Sequence, residues 1–223
     1  MLKLKNIHKK YVTGKTFVHA LRGIDFSVEK GDFITVRGPS GSGKSTLLNI
    51  VGLLDEPTEG EVYLNGRRVS FNDFDDLATL RSHSISFIFQ SFNLNPVLTL
   101  EENVMVPLMI RNDISRNEKV KRVDEWIEKT GLHQHKNHRP DELSGGQRQR
   151  VAIARAMVTL PALVIADEPT ANLDSQTSRS ILEMMKRLNE EKGTTFIFAT
   201  HDPVLADYAK KTLVIRDGNF VSS

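Results

Sequence analysis

The chain has 223 residues, with 30 Lys plus Arg against 28 Asp plus Glu, a formal charge of +2, and 39% hydrophobic and 26% charged residues. Such a chain reads as an ordinary globular protein with a real core, either one large domain or one domain carrying an inserted subdomain, and its near-balance of charge argues against a dedicated nucleic-acid binder. With 0 Cys it has no disulfide framework or thiolate metal site, Met1-Leu2-Lys3-Leu4-Lys5 is too charged for a signal peptide, and apolar runs such as Ala162 to Ala166 fall far short of the roughly 20 residues of a membrane span.

The first 70 residues read as strands. Ile24, Phe26 and Val28 alternate with polar residues, Phe33 to Val36 is a short apolar run, and Val62-Tyr63-Leu64 leads into Asn65-Gly66, a hairpin signal. Between the last two lie a glycine-rich stretch and an apolar helical run from Ser45 to about Leu54. A short strand from Ile85 to Phe89 ends at Gln90. From 91 to 160 the pattern turns helical. Ser115 to Glu118 reads as a capping box ahead of Val120, Val123 and Ile127 on one face, with Gly131 as the stop. A second box, Ser144 to Gln147, opens a helix running to about Val158. After Pro161 the β/α rhythm returns, with buried-type strands at Leu163 to Ala166 and Thr195 to Ala199 around a helix from about Ser175 to Glu191. A last strand, Leu213 to Ile215, meets the turn Asp217-Gly218. The sequence therefore predicts an α/β core interrupted by a helical insertion, with an antiparallel β-layer near the N-terminus.

Gly38-Pro39-Ser40-Gly41-Ser42-Gly43-Lys44-Ser45 has the spacing G-x-x-x-x-G-K-[ST] between a strand and a helix. Its glycines let backbone N–H groups close around phosphate oxygens, at the positive end of the helix dipole. Lys44 is placed to reach the β and γ phosphates and Ser45 to ligate Mg²⁺, with Thr46 completing the phosphate-binding set. The strand ending at Ala166 delivers Asp167, suited to holding Mg²⁺, and Glu168, suited to polarising a water. Two further strands end in Gln90, for the metal or the water, and in Thr200-His201, for the γ-phosphate. Each is weak alone. Four strands presenting these groups at one sheet edge make a phosphoryl-transfer constellation.

Leu143-Ser144-Gly145-Gly146-Gln147 adds a second anion-binding helix end, since adjacent glycines are otherwise a poor choice at a helix start. Two phosphate-binding ends with one set of magnesium and water-activating groups predict a head-to-tail pair of copies sandwiching two ATP molecules.

These stretches resemble the nucleotide-binding subunit of ABC transporters, over essentially the whole chain. Residues 38–45 are similar to that family's Walker A motif, Leu163 to Glu168 to its Walker B strand and catalytic glutamate, and Leu143 to Gln147 to its signature. Gln90 falls at its Q-loop, His201 at its switch histidine and Ala171-Asn172-Leu173-Asp174 at its D-loop. Tyr11 falls where an aromatic ring lies under adenine, with Phe17 as a competing ring. Pro57 to Gly60, Phe92-Asn93-Leu94, and Glu101-Asn103-Val104 with Pro107-Leu108 resemble the branch serving lipoprotein release and macrolide-type efflux (LolD/MacB-like).

The resemblance implies a single ABC ATPase domain over 1–223. A β-subdomain plus P-loop NTPase (RecA-like) core would span 1–90 and 161–223, and a helical signature subdomain 91–160. It implies ATP and Mg²⁺ as ligands, a second copy and an integral membrane permease as partners, no nucleic acid, and a peripheral place on the cytoplasmic face of the plasma (inner) membrane. An ATP-driven regulatory or mechanical module that transports nothing would carry the same cassette. A soluble ABC ATPase of DNA repair or translation fits less well, and a small-molecule kinase has no use for Leu143 to Gln147. His133, His135 and His138 are irregularly spaced in a polar loop and read as that rather than as a metal site. Phe92, Leu94, Val97 and Leu98 read as mostly core, with the resemblance placing some of them in a groove for the permease.

Overall fold

A long hairpin of β1 (Leu2–Thr13) and β2 (Thr16–Val28) begins the computed structural model, which describes residues 1–14 and 16–221. Alternation buries Ile24, Phe26 and Val28 on one face of β2. The register slips between Ile7 and His8, opposite Gly23, whose φ is +77°. This bulge shifts the buried phase to Leu21. β4 (Glu59–Leu64) pairs with β1 and turns through Asn65-Gly66 into β5 (Arg67–Arg68), giving an antiparallel sheet of order β2-β1-β4-β5. Both turn residues have positive φ, 52° and 81°, as a tight hairpin of this hand requires.

The second sheet is built from β3 (Phe33–Arg37), β6 (Ile85–Ile88), β7 (Leu163–Asp167), β8 (Thr195–Ala199), β9 (Lys211–Arg216) and β10 (Asn219–Val221). Its order is β10-β9-β3-β8-β7-β6, parallel except for the β9–β10 hairpin through Asp217-Gly218. The inner strands carry apolar residues on both faces, as a parallel sheet covered on both sides must. Ile34, Val36, Ile165, Ile197 and Ala199 face α1 (Lys44–Val51), which lies between the two sheets and buries Leu47, Leu48, Ile50 and Val51. Phe33, Val164, Ala166, Phe196 and Phe198 face the other way. They share a core with α3 (Leu100–Met109), α4 (Arg116–Lys129), α5 (Gly145–Met157) and α6 (Ser175–Lys192).

Several local expectations need correction. α1 stops at Val51, short of Leu54. Gly52 follows it, where a Cβ would lie 2.2 Å from the Phe87 ring. The Ser115 capping box is half formed: Ser115 Oγ accepts from Glu118 N at 3.3 Å, but the Glu118 carboxylate has turned to Arg122 Nε at 2.7 Å. Of the apolar face of α4, Val123 and Ile127 are buried with Trp126, while Val120 is 42% exposed. The helical stretch starts at Leu100 rather than 91, on a complete Thr99–Glu102 capping box. Phe92, Leu94 and Leu98 are only half-buried, with Leu94 packed against the core, and Val97 is 69% exposed, so this segment lies at the margin of the core rather than within it. α2 (Phe74–Ser84) and α7 (Pro203–Tyr208) were not predicted. α2 buries only Leu77, too little to show a period.

Candidate nucleotide site

β3, β8, β7 and β6 lie side by side, so their carboxyl ends meet along one edge, where open α/β sheets bind ligands. A cleft of about 720 Å³ opens there. Gly38, Pro39, Ser40, Gly41, Gly43, Lys44, Ser45 and Thr46 line it, with Gln90, Asp167, Glu168, His201 and Tyr11. Ser42 does not line the cleft; it is 3% exposed, and its Oγ has no hydrogen-bond partner among the described residues. Two of the glycines are there for want of room. A Cβ on Gly38 would lie 2.2 Å from the Ile215 carbonyl oxygen, and one on Gly43 2.6 Å from that of Ala20. Gly43 is also the N-cap of α1 and offers no side chain, so the first-turn N–H groups are left to a ligand. Lys44 Nζ donates to the carbonyls of Gly38 at 2.8 Å and Pro39 at 2.9 Å, which hold the ammonium across the loop.

Ser45 Oγ donates to Asp167 Oδ2 at 3.4 Å. Burial, and then the neighbouring charge of Glu168, push the Asp167 carboxyl above its ordinary pKa, and the Ser45 hydrogen bond and Lys44 only partly oppose them. A cation between Asp167 and a triphosphate would relieve both pressures. The donors present are a hydroxyl, a carboxylate and the Gln90 amide, all hard oxygens. That set suits Mg²⁺, which takes one or two carboxylates and completes its shell with water and substrate phosphates.

Glu168 has φ +47° and yet donates its N–H to the Ala199 carbonyl at 2.9 Å. A left-handed backbone costs a non-glycine residue about 1–2 kcal/mol. Here it turns the side chain into the cleft, where three donors hold the carboxylate. They are His201 Nδ1 at 2.7 Å, His201 N at 3.2 Å and Thr200 Oγ1 at 3.3 Å. With Nδ1 as donor, the His201 Nε2 is free to accept.

The loop after Gln90 is held from two sides, by Asn172 of the expected D-loop and by Arg155, which the sequence did not single out. Asn172 Nδ2 donates to the Gln90 carbonyl at 3.0 Å, and Arg155 of α5 donates to those of Phe92 at 2.7 Å and Asn93 at 2.6 Å. Phe92 and Asn93 both have positive φ, 62° and 48°. Desolvation lowers the Arg155 pKa. A central Arg in an otherwise apolar helix stretch was the signal available.

The stretch from Leu143 to Gln147 is absent from the cleft lining, as is Asp174. Ser144 and Gln147 form a complete capping box, with Gln147 Oε1 accepting from Ser144 N at 2.8 Å and Ser144 Oγ from Gln147 N at 3.3 Å. Gln147 Nε2 donates to His135 Nε2 at 3.0 Å. Leu143 is 5% exposed within the core, so its side chain packs rather than faces a ligand. Gly145 and Gly146 differ. A Cβ on Gly145 would make ordinary contact, but one on Gly146 would lie 2.6 Å from Thr177 Cγ2, so packing explains the second glycine. Asp174 caps α6, with Oδ1 accepting from the N–H groups of Gln176 at 3.0 Å and Thr177 at 2.9 Å. The Thr177 contacts hold its pKa low.

A sequence model of ABC transporters matches residues 21–171. The chain belongs to the ABC transporter family. It lies in the branch that holds the LolD and MacB ATP-binding components, and it binds and hydrolyses ATP as the energy-supplying subunit of a transporter, not as the regulatory module weighed above. MJ0796 of Methanocaldococcus jannaschii, an ABC transporter ATP-binding protein, is 45% identical over 98% of this chain and 94% of its own. LolD of Francisella tularensis, of a lipoprotein-releasing system, is 44% identical over 98% and 94%. MacB of Syntrophobacter fumaroxidans, a macrolide export ATP-binding/permease protein, is 46% identical over 98% of this chain but only 31% of its own. A dimeric structure of MJ0796 bound to ADP and Pi superposes with a TM-score of 0.91 at 44% identity, covering 100% of this chain and 97% of that one. In this ABC subunit no helix among the described residues is long and apolar enough to cross a membrane.

Proposed function

We propose that this ABC subunit drives a separate integral membrane permease, of lipoprotein-release or efflux type, from the cytoplasmic face of the membrane, and that two copies close head to tail on two ATP molecules. One observation carries the pairing. The cleft holds the phosphate loop, Gln90, Asp167, Glu168 and His201, while Ser144 to Gln147 form an uncharged, N–H-bearing helix start elsewhere on the chain. A triphosphate in the cleft of one copy would meet the Ser144 helix end of the other. The dimeric MJ0796 structure supports this arrangement, and the combined name of MacB supports a permease partner.

In this reading the N–H groups of Gly41 and of 43–46 and the Lys44 ammonium grip the phosphates, and Ser45, Asp167 and Gln90 would hold Mg²⁺, which would supply charge neutralisation there. Glu168 orients a water on the γ-phosphate, and its bonds to Thr200 and His201 fix the carboxylate for that task. His201 keeps its Nδ1–H on Glu168, and its Nε2 accepts from the attacking water beside the γ-phosphate. Tyr11 stacks on the base, and Asp174 sets the start of α6 beside the junction of the copies.

Glu168→Gln tests the proposal. The amide keeps the shape and accepts from His201 but cannot take a proton, so turnover should fall by about 10²–10⁴-fold while ATP still binds. ATP should then accumulate a dimer on gel filtration. Wild-type hydrolysis by this variant, or a monomer at saturating ATP, would refute the reading.

A further inference from the structure

The Tyr11 ring is fastened from outside the cleft. Its hydroxyl donates to Asp55 Oδ2 at 2.7 Å, and Asp55 is not among the lining residues. Lys9, two residues earlier and so on the same face of β1, donates to the other Asp55 oxygen and, at 2.7 Å, to the Glu56 carbonyl. The same ammonium stands 5.0 Å from the centroid of the Tyr11 ring. One side of the ring is therefore taken by a cation, which leaves a single side for a planar ligand. Asp55 is in turn anchored to α1, its N–H and that of Leu54 both donating to the Asn49 carbonyl, at 3.3 and 2.8 Å. The side chains of Lys9 and Asp55 are only 13% and 27% exposed, so the pair is shielded where Tyr11 itself is 37% exposed.

We infer that Asp55 is a positioning residue for the nucleobase: with Lys9 it locks the Tyr11 ring to the far end of the same helix whose near end carries the phosphate loop. This rests on the assignment of Tyr11 to the base made above. α1 has eight residues, about 12 Å of rigid helix. One element thus sets both the phosphate grip and the base platform, and the spacing between them does not depend on the hairpin alone. An untethered tyrosine on an exposed strand samples several χ1 rotamers and must be ordered by each arriving nucleotide. A tethered one is ordered beforehand, and affinity for the base part of the ligand rises accordingly.

The experiment measures Kd by calorimetry for two probes, ATP and inorganic tripolyphosphate, which has the phosphates and no base. Steady-state hydrolysis is measured alongside. For Asp55→Ala the expected result is a Kd for ATP weakened about three- to tenfold, with tripolyphosphate unchanged and kcat within about twofold of the parent chain. Tyr11→Phe, which removes the hydroxyl and no charge, should move ATP in the same direction, and it carries the test should Asp55→Ala fold poorly. Weakening of both probes by Asp55→Ala would place its effect in the phosphate loop and overturn the inference. Tyr11→Ala separates the two levels of argument. If it leaves the ATP Kd unchanged, the base assignment of Tyr11 is wrong. If it weakens ATP while Asp55→Ala and Tyr11→Phe do not, the platform stands and the tether falls.

Discussion

Replacing Gly145 and Gly146 by alanine, one at a time, separates two reasons for glycine at the start of α5. At Gly145 the new methyl would sit 3.4 Å from Leu173 Cδ2, an ordinary contact, so helix propensity favours alanine by about 0.5 kcal/mol in this first turn. At Gly146 it would sit 2.6 Å from Thr177 Cγ2. Thr177 is β-branched in the first turn of α6, and its N–H is bound by Asp174, so its side chain has few other rotamers. Overpacking of this kind costs about 1–3 kcal/mol. After the propensity gain, Gly146→Ala should lose about 0.5–2.5 kcal/mol. With a urea slope of about 2 kcal/mol per M, the unfolding midpoint drops by about 0.3–1.2 M. Gly145→Ala should hold or raise the midpoint. Thr177→Ser deletes the offending methyl and should recover most of the Gly146→Ala loss, a coupling of at least about 0.5 kcal/mol. On the functional side, the proposed pairing predicts that Gly145→Ala loses the ATP-dependent dimer despite intact stability, because the added methyl would crowd the N–H face it offers to the partner copy's nucleotide. Equal destabilisation by the two alanines, or no recovery with Thr177→Ser, would show that the contact does not explain Gly146.

Two further results are expected. Asp167 is held with its pKa raised, so the folded state binds its proton more tightly than the unfolded one; the ionised carboxylate therefore weakens the fold at neutral pH, and that penalty fades as pH falls through the raised value. Asp167→Asn should unfold at a higher temperature than the parent at pH 7 in EDTA, lose that advantage on acidification, and lose hydrolysis; an unchanged or lower melting temperature at pH 7 would contradict the burial argument. Arg155→Met keeps the packing stem but frees the carbonyls of Phe92 and Asn93, which are bound in left-handed backbone. The amides of 91–95 should then exchange with deuterium at least about tenfold faster, and unchanged protection would remove Arg155 from that role.

Much of the site was legible because its chemistry is local. The spacing from Gly38 to Ser45 and the pair Asp167-Glu168 after an apolar strand state their function within a few residues, and the parallel sheet needed only runs such as Leu163 to Ala166 to be inferred. What escaped depends on contacts across the chain. Asn172 meets Gln90, and Arg155 meets Phe92 and Asn93, through hydrogen bonds that span 82, 63 and 62 positions. No period or motif announces such pairs. Glu118 belonged by pattern to a cap, but Arg122 one turn on offered a charge-assisted bond and won. Val97 is exposed although its apolar side chain reads as core, because residue type alone does not say whether a neighbour covers it.

The place of β6 has a mechanical consequence. It is a rim strand of its sheet, four residues long, bonded to β7 on one side, whereas β3, β7 and β8 each have a ladder on both. Force applied to residues 91–98 therefore reaches the least-held of these four strands first. Gln90 can be drawn back or pushed in by peeling one short ladder, while the strands bearing the other reactive groups keep their register. The chain thus puts its compliance at the edge and its stiffness at the centre, so a pull from outside can reset one contact of the site without dismantling the rest.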